Sequence, residues 1–343
     1  MAEVEEQEEE NELFEHYRIV ADKGQEALRV DKFLMDRVPN TSRTKIKEAT
    51  QNGNVHVNNQ PVKANYKVKP EDVISIVLPY PQREIELIPQ DIPLKVLYED
   101  DTLIIIDKPT NMVVHPGYGN YTGTLVNALV YHFENLPEFK DGLPSRPGLV
   151  HRLDKNTTGV MVVAKTERAL TELSLQFFER TTDRRYVALV WGDVSEDGTI
   201  EGHIGRSLKN RKVMSVFPDG DYGKPAITHY KVLERLNYVT LVECKLETGR
   251  THQIRAHFKH IGHPLFNDPE YGGNKILKGT TFSKYKQFVI NNFKILDRQA
   301  LHARKLELTH PKTGKRMNFE SEVPEDFSEV LERWRHYIKH RKD

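Results

Sequence analysis

Between Gly148 and Lys165, two apolar runs, Leu149-Val150 and Val160–Val163, enclose a polar connection in which His151, Arg152, Asp154 and Lys155 fall within five residues. A hairpin loop needs turn formers, and Asn156 to Gly159 supply them. It does not need a carboxylate set among cations. Such a carboxylate stays ionised at neutral pH, which is the state a nucleophile requires. A surface hairpin with local ion pairs would account for the same composition. A second cluster runs from Leu246 to Phe258. Thr248-Gly249 ends a strand, a helix begins about Thr251, and Thr251, Arg255 and Lys259 share one face at i, i+4 and i+8. An arginine at 255 could pair bidentately with a carboxylate from elsewhere in the fold. The alternative is an amphipathic helix with a solvated cationic face.

Other patterns point away from cofactor chemistry. His252, His257, His260 and His263 lack the carboxylate that a His-Glu-x-x-His zinc site requires, so no metal is expected. Gly117-Tyr118-Gly119 resembles a phosphate cradle only loosely, and no Gly-Lys-Ser or Gly-Lys-Thr occurs. No Gly-x-Ser-x-Gly elbow is present. The single cysteine, Cys244, excludes an intrachain disulfide framework and alternates within a strand as a small buried hydrophobe.

The elements that must position these residues divide into two domains, as 343 residues exceed one core. Apolar residues make up 38%, charged residues 29%, and the mean hydropathy is −0.61. No apolar stretch approaches a membrane span, and the N-terminus opens acidic, so a cytoplasmic protein is expected. The zero net charge conceals an asymmetry. Residues 1–16 hold eight Glu and no Lys or Arg, which leaves a surplus of +8 over residues 17–343. The first 16 residues read as a disordered acidic tail.

Residues 17–78 read as a small α/β unit. Ala27, Val30, Phe33 and Leu34 suggest a helix starting near Gly24. Asn40-Thr41-Ser42 caps a basic helix from Arg43 to Gln51, which stops at Asn52-Gly53. Strands follow at 54–58 and Val73 to Leu78. Pro79, Pro81, Pro89 and Pro93 make residues 79–93 an extended tether. From 94 to 343 the chain is rich in strands that follow one another as hairpins, with runs at Leu103–Ile106, Val160–Val163, Tyr186–Val190, Tyr230–Leu233 and Val239–Cys244. One helix carries Leu170, Leu173, Phe177 and Phe178, and the last carries Phe327, Val330, Leu331, Trp334 and Ile338. The class is α+β, a small N-terminal α/β module plus a larger, mixed and mostly antiparallel sheet with flanking helices.

The run His151-Arg152-Leu153-Asp154-Lys155-Asn156-Thr157-Thr158-Gly159 closely resembles the catalytic signature of the RluA family of pseudouridine synthases, including its RluD-like members. Asp107 to Pro116, Arg185-Tyr186-Val187-Ala188, Gly249 to His257 and Leu301 to Pro311 resemble its other motifs, in order. Asn111 stands where the family usually has Gly, and Asn also tolerates the left-handed backbone. The N-terminal unit resembles the RNA-binding module named after ribosomal small-subunit protein four, through Arg29 to Leu34, Ser42-Arg43 and Gly53 to Asn58.

The resemblance implies an isomerase that breaks the glycosidic bond of uridine, turns the base and rejoins it through carbon, with no cofactor. It places the nucleophile at Asp154, with attack on sugar and attack on base both open. Arg255 would be the partner of that carboxylate, and Tyr186 would stack on the extruded base. Arg152 would enter the space vacated by the flipped nucleotide. In the small module Arg29, Lys32, Arg43, Lys45 and Lys47 would contact RNA. The partner implied is structured RNA, foremost large-subunit ribosomal RNA or its precursor, with transfer RNA as the alternative. No membrane contact is expected, and the protein is expected to be a monomer. A non-catalytic RNA-binding or ribosome-assembly protein, or a glycoside-cleaving enzyme with Glu247 as second carboxylate, are the competing classes.

Overall fold

A computed structural model describes residues 14–38, 41–78, 87–117, 119–138, 146–210 and 213–340. The tail up to residue 13, residue 40 of the expected cap, residues 79–86 of the tether and Tyr118 lie outside them. The described residues form two compact units, one up to residue 78 and the other from residue 87 onward.

In the small unit the elements are β1 (Phe14–Val20), β2 (Leu28–Arg29), α1 (Val30–Met35), α2 (Arg43–Gln51), β3 (Val55–Val57), β4 (Gln60–Pro61), β5 (Lys67–Val68) and β6 (Val73–Leu78). An antiparallel sheet runs β1-β6-β3-β4, and β2 pairs separately with β5. The Ser42 hydroxyl accepts the Lys45 N–H at the start of α2, and Gly53 in the left-handed region follows its end. Asn58 and Asn59, at φ 49° and 64°, make the tight turn between β3 and β4. Val30, Phe33, Leu34, Ile46, Val55 and Ile74 form the core.

Two expectations fail here. The helix α1 begins at Val30 rather than near Gly24, because Leu28 and Arg29 are held extended against Val68 and Lys67, and Ala27 is exposed. Phe14, Glu15 and His16, read as the end of the acidic tail, belong to β1, where Phe14 lies opposite Leu78. The run of Glu masks this in sequence, but β6 offers the strand an unpaired edge.

In the large unit the order is β7 (Val96–Glu99), β8 (Leu103–Lys108), α3 (Leu125–His132), β9 (Thr158–Ala164), α4 (Glu167–Phe178), β10 (Asp183–Trp191), β11 (Gly198–Arg206), β12 (Met214–Phe217), β13 (Lys224–Leu236), β14 (Val239–Leu246), α5 (Gln253–His260), α6 (Ser283–Ile295), β15 (Leu301–Thr309), β16 (Arg316–Glu320) and α7 (Glu325–Lys339). Ten strands form one sheet in the order β12-β11-β13-β14-β10-β15-β9-β8-β7, with β16 paired to β15. Only β15 and β9 run parallel. The fold is α+β with a mostly antiparallel sheet.

Alternation along the strands assigns the two faces. Ile104, Met161, Tyr186, Ala188 and Cys244 join a core with α3 and α5, and this is the face that carries the site. On the opposite face Val187, Leu189 and Trp191 pack against α6 and α7, and Leu103, Ile105 and Val162 against α4. Every residue of β9 is buried, which explains its unbroken apolar run. The face of α4 ends at Phe177, since Phe178 is 84% exposed. Residues 87–93 are not a free tether: the Gln90 N–H donates to the Asn127 carbonyl at 3.0 Å, the Asn127 side-chain amide donates to the Ile88 carbonyl at 2.8 Å, and Leu87 and Ile92 pack on the core. The helices α3 and α6 carried no reading in the sequence, and α3 is capped by a reciprocal Thr124–Asn127 box.

Candidate active site

The loop between the Leu149–Val163 bridge and β9 carries Asp154. Its backbone is pinned from below. The ammonium of Lys108, fully buried at the end of β8, donates to the carbonyls of Pro109, Met112 and Lys155 at 2.7, 2.9 and 3.1 Å. Buried Arg298 donates to the Asn156 carbonyl at 3.3 Å while its fork is closed on Asp326 at 2.8 and 2.9 Å. The Gln299 amide donates to Thr157 Oγ1, and the Thr157 N–H to the Asp154 carbonyl. At the other end of the loop His151 Nε2 accepts the Val162 N–H at 3.1 Å and the ring stacks on Phe177. Burial pushes that imidazole down to about 3, so it is neutral, in keeping with its role as acceptor.

Gly159 is the second residue of β9, where the loop enters the sheet. A side chain there would place Cβ 2.2 Å from the Ala303 carbonyl oxygen, at φ +117°, so only glycine permits the parallel contact with β15. Opposite Tyr186, the pairing of β10 with β15 shifts register. Such irregularities commonly re-aim a side chain beside a functional site. Asn111, at φ 59°, holds the left-handed conformation that its position requires.

Arg255, in α5, is the hub. Its side chain is 4% exposed. Nε and Nη2 clasp Asp268 at 2.7 and 2.9 Å, Nη2 reaches Glu270 at 2.5 Å, and Nη1 donates to Asp154 Oδ2 at 3.2 Å. Burial works against the guanidinium charge, and Asp268, Asp154 and Glu270 together outweigh it, so its pKa is raised. The expected bidentate partner therefore exists, but it is Asp268, while Asp154 takes a single bond from the remaining nitrogen. Nor does α5 present a solvated cationic face: Gln253 through Phe258 are all buried, and Thr251 precedes the helix.

His252, at φ 53°, places Nε2 3.9 Å from Asp154 Oδ1 and Nδ1 3.1 Å from the Tyr271 hydroxyl. The other histidines diverge, with His257 on Thr228 and His263 on the Trp191 carbonyl, and among the described residues no group of His, Cys, Asp or Glu could hold a metal ion. Glu247 turns to His229 at 2.6 Å rather than towards Asp154.

A cavity of about 290 Å³ opens over Asp154, bounded by Leu153, Tyr186, Leu246 and residues 249–255. Asp154, Tyr186, Arg255 and the exposed Arg152 all border it. Burial raises the Tyr186 phenol pKa, keeping it protonated. Sequence reasoning missed Asp268, Glu270, Lys108, Arg298 and Arg184. The available signals were the Asp268-Pro269-Glu270-Tyr271 segment, two carboxylates in a proline turn just beyond the arginine motif, and the place of Lys108 within the Asp107 to Pro116 motif.

The sheet and the convergence of these motifs define a pseudouridine synthase. Comparison with known proteins agrees. The family described as RNA pseudouridylate synthase matches residues 102–260, and the S4 domain matches residues 28–74. An uncharacterized RNA pseudouridine synthase of Chlorobaculum parvum is 46% identical over 91% of this chain and 96% of its own length. The ribosomal large subunit pseudouridine synthase D of Nitrosomonas europaea is 43% identical over 89% of this chain and 84% of its own. The solved structure of human RNA pseudouridylate synthase domain containing 4 aligns with a TM-score of 0.51 at 27% identity, covering 70% of this chain and 93% of that one. The chain belongs to the RNA pseudouridine synthase family and is an RNA-acting isomerase with an N-terminal S4 domain. Among the described residues no helix is long and apolar enough to cross a membrane.

Proposed function

We propose that the protein converts uridine to pseudouridine in large-subunit ribosomal RNA, with the target nucleotide turned out of its stack into the cavity and Asp154 as the nucleophile. One observation carries this reading: Asp154 is the only carboxylate among the described residues that line the cavity. Isomerisation needs one such group, whereas glycoside hydrolysis needs two across the scissile bond. The reaction breaks the N1–C1′ bond and forms a C5–C1′ bond. The proton lost from C5 balances the one gained at N1, so no donor or oxidant is required. Arg255 fixes one oxygen of Asp154 at 3.2 Å, and the other oxygen lies 3.9 Å from His252 Nε2 at the cavity. The protonated phenol of Tyr186 supplies a flat surface for the extruded base. Arg152, exposed at the rim, enters the gap left in the RNA and offsets part of the unstacking cost.

A groove of about 740 Å³ continues from Gly249–Thr251 along β11 and β12, which gives the flanking strand a path. In the S4 domain Arg29, Lys32, Arg43, Lys45 and Lys47 are all exposed and contact phosphates. The ribosomal target is supported by the relatives bearing that name. The test is a map of pseudouridines in total RNA from cells with the gene, without it, and with Asp154→Asn. Sites missing from large-subunit RNA in both altered strains are expected. Losses confined to transfer RNA would redirect the substrate, and an unchanged map with Asp154→Asn would return the protein to the non-catalytic class.

A further inference from the structure

Of the four arginines that line the cavity, one has circumstances the reverse of those of Arg255. Arg184, in β10 two residues before Tyr186, is 8% exposed and lines the same cavity. Its bonds are long and go to neutral oxygens, Nη2 donating to the carbonyls of Leu246 at 3.4 Å and Glu247 at 3.3 Å. Its Nε has no partner among the described residues. The adjacent carboxylate, Asp183, turns to Arg185 at 3.0 Å and Lys245 at 3.1 Å instead. What covers the guanidinium is the Phe177 ring, 5.5 Å away.

A buried guanidinium without a counter-ion is costly unless something else completes it. The backbone keeps a place for it. A Cβ on Gly249 would lie 2.9 Å from Arg184 Nη1, so the glycine of the arginine motif leaves room for this charge at the cavity wall. The cavity is thus polarised, with Asp154 bound to the carboxylate-rich Arg255 on one side and an uncompensated cation on the other.

A uridine in RNA has one kind of group with a full negative charge, its backbone phosphate. A uracil carbonyl would leave the guanidinium charge uncancelled. Arginine also matches two phosphate oxygens with two N–H groups. We propose that Arg184 is a phosphate-binding residue of the cavity, taking the non-bridging oxygens of a backbone phosphate next to the target uridine and thereby setting the nucleotide's depth over Asp154. This rests on the cavity being the place of reaction.

The test is single-turnover isomerisation of a ribosomal RNA fragment carrying a modified uridine, with the linkages on either side of it replaced one at a time by uncharged methylphosphonate. One neutral linkage should slow the wild type about 10–100-fold, the range of a charge-assisted hydrogen bond. Arg184→Gln should lose a similar factor on unmodified RNA and almost nothing further on that linkage. Arg184→Lys should recover part of the loss, and Gly249→Ala should fall between. The lysine variant carries the experiment if the glutamine variant unfolds early. Losses from Arg184→Gln and the neutral linkage that multiply would overturn the phosphate contact, as would a fully active Arg184→Gln. The function reading is decided separately: turnover by Asp154→Asn would show that the reaction lies elsewhere, whereas the coupling, read in binding, would still establish or refute the phosphate contact.

Discussion

Each unit contains one cluster in which a buried charge gathers partners of opposite sign, and the two clusters are inverted. In the S4 domain a buried acid, Asp31, holds two exposed arginines, Arg29 at 2.9 Å and Arg43 at 3.1 Å. In the catalytic unit a buried arginine, Arg255, holds Asp268, Glu270 and Asp154. The buried member is fixed in both; both arginines of the first cluster meet the solvent, as do Glu270 and, in part, Asp154 in the second. Outer arginines leave an excess of positive charge at the surface, suited to a polyanion whose sequence is not read. Outer carboxylates leave an excess of negative charge, and one of them, Asp154, faces the cavity. Asp268, 0% exposed, neutralises most of the Arg255 charge. This leaves Asp154 with a single hydrogen bond from Arg255, which suits the nucleophilic role proposed for it.

That inversion can be broken at five residues. Asp154→Asn removes the outer member that faces the cavity. It should lower single-turnover isomerisation by about 10³-fold or more and leave RNA affinity nearly unchanged, as scored by quantitative pseudouridine mapping beside filter binding. Arg255→Met strips the centre and strands Asp268 in the core. Denaturant unfolding should register a loss of about 3–5 kcal/mol, far more than for Asp154→Asn, and equal losses would mean that the hub is not Arg255. Arg29→Gln and Arg43→Gln act on the inverse cluster. Each should reduce the slope of log affinity against log salt by about one and spare turnover at saturating RNA. A turnover defect at saturation would mean that the S4 domain shapes the catalytic step.

The smallest effect is expected from Asp31→Asn, because its partners are solvated, and should be about 1 kcal/mol. The hydrogen bond from Arg29 is the main reason that the Asp31 carboxyl sits below the usual range. A depressed carboxyl pKa contributes stability that is complete above the unfolded value, about pH 4, and is lost as pH falls through the folded value. Amide exchange of α1 in the full chain should therefore accelerate below about pH 4 in the wild type, with Asp31→Asn already fast and flat through that range.

What was legible in the sequence was local. The bounds of α2 follow from Ser42 and Asn52-Gly53, chemistry that acts over one turn, and β6 from a run that is β-branched but for Ser75 and Leu78. The motif residues Asp154, Tyr186 and Arg255 border one cavity, although their spacing alone left a surface hairpin and a solvated helix equally open. What stayed illegible depended on partners far along the chain. Leu28 and Arg29 are extended only because Lys67 and Val68 lie beside them. Nothing near Arg298 announces Asn156, 142 residues away, and Asp268 competes for the Arg255 fork through a turn with no helical or strand period. Residues 87–93 read as a tether because prolines forbid regular structure, yet irregular chain can still dock through single bonds such as Gln90 to Asn127.

The strand order carries a consequence for synthesis. β9 and β10 follow each other in the chain, but β15 lies between them in the sheet, and Leu301 comes 110 residues after Trp191. At about 5–20 residues per second the nascent chain waits roughly 5–20 s for the strand that fills this gap. Until then the apolar edges of β9 and β10 face no partner, Gly159 has no Ala303 to approach, and Arg298 is not yet made to secure the Asn156 carbonyl. A ribosome that stalls before this point thus releases a chain with Asp154 and Tyr186 already present but no frame to hold them, so isomerase activity arrives only with nearly finished protein, and the exposed edges mark the unfinished chain for chaperones or proteases.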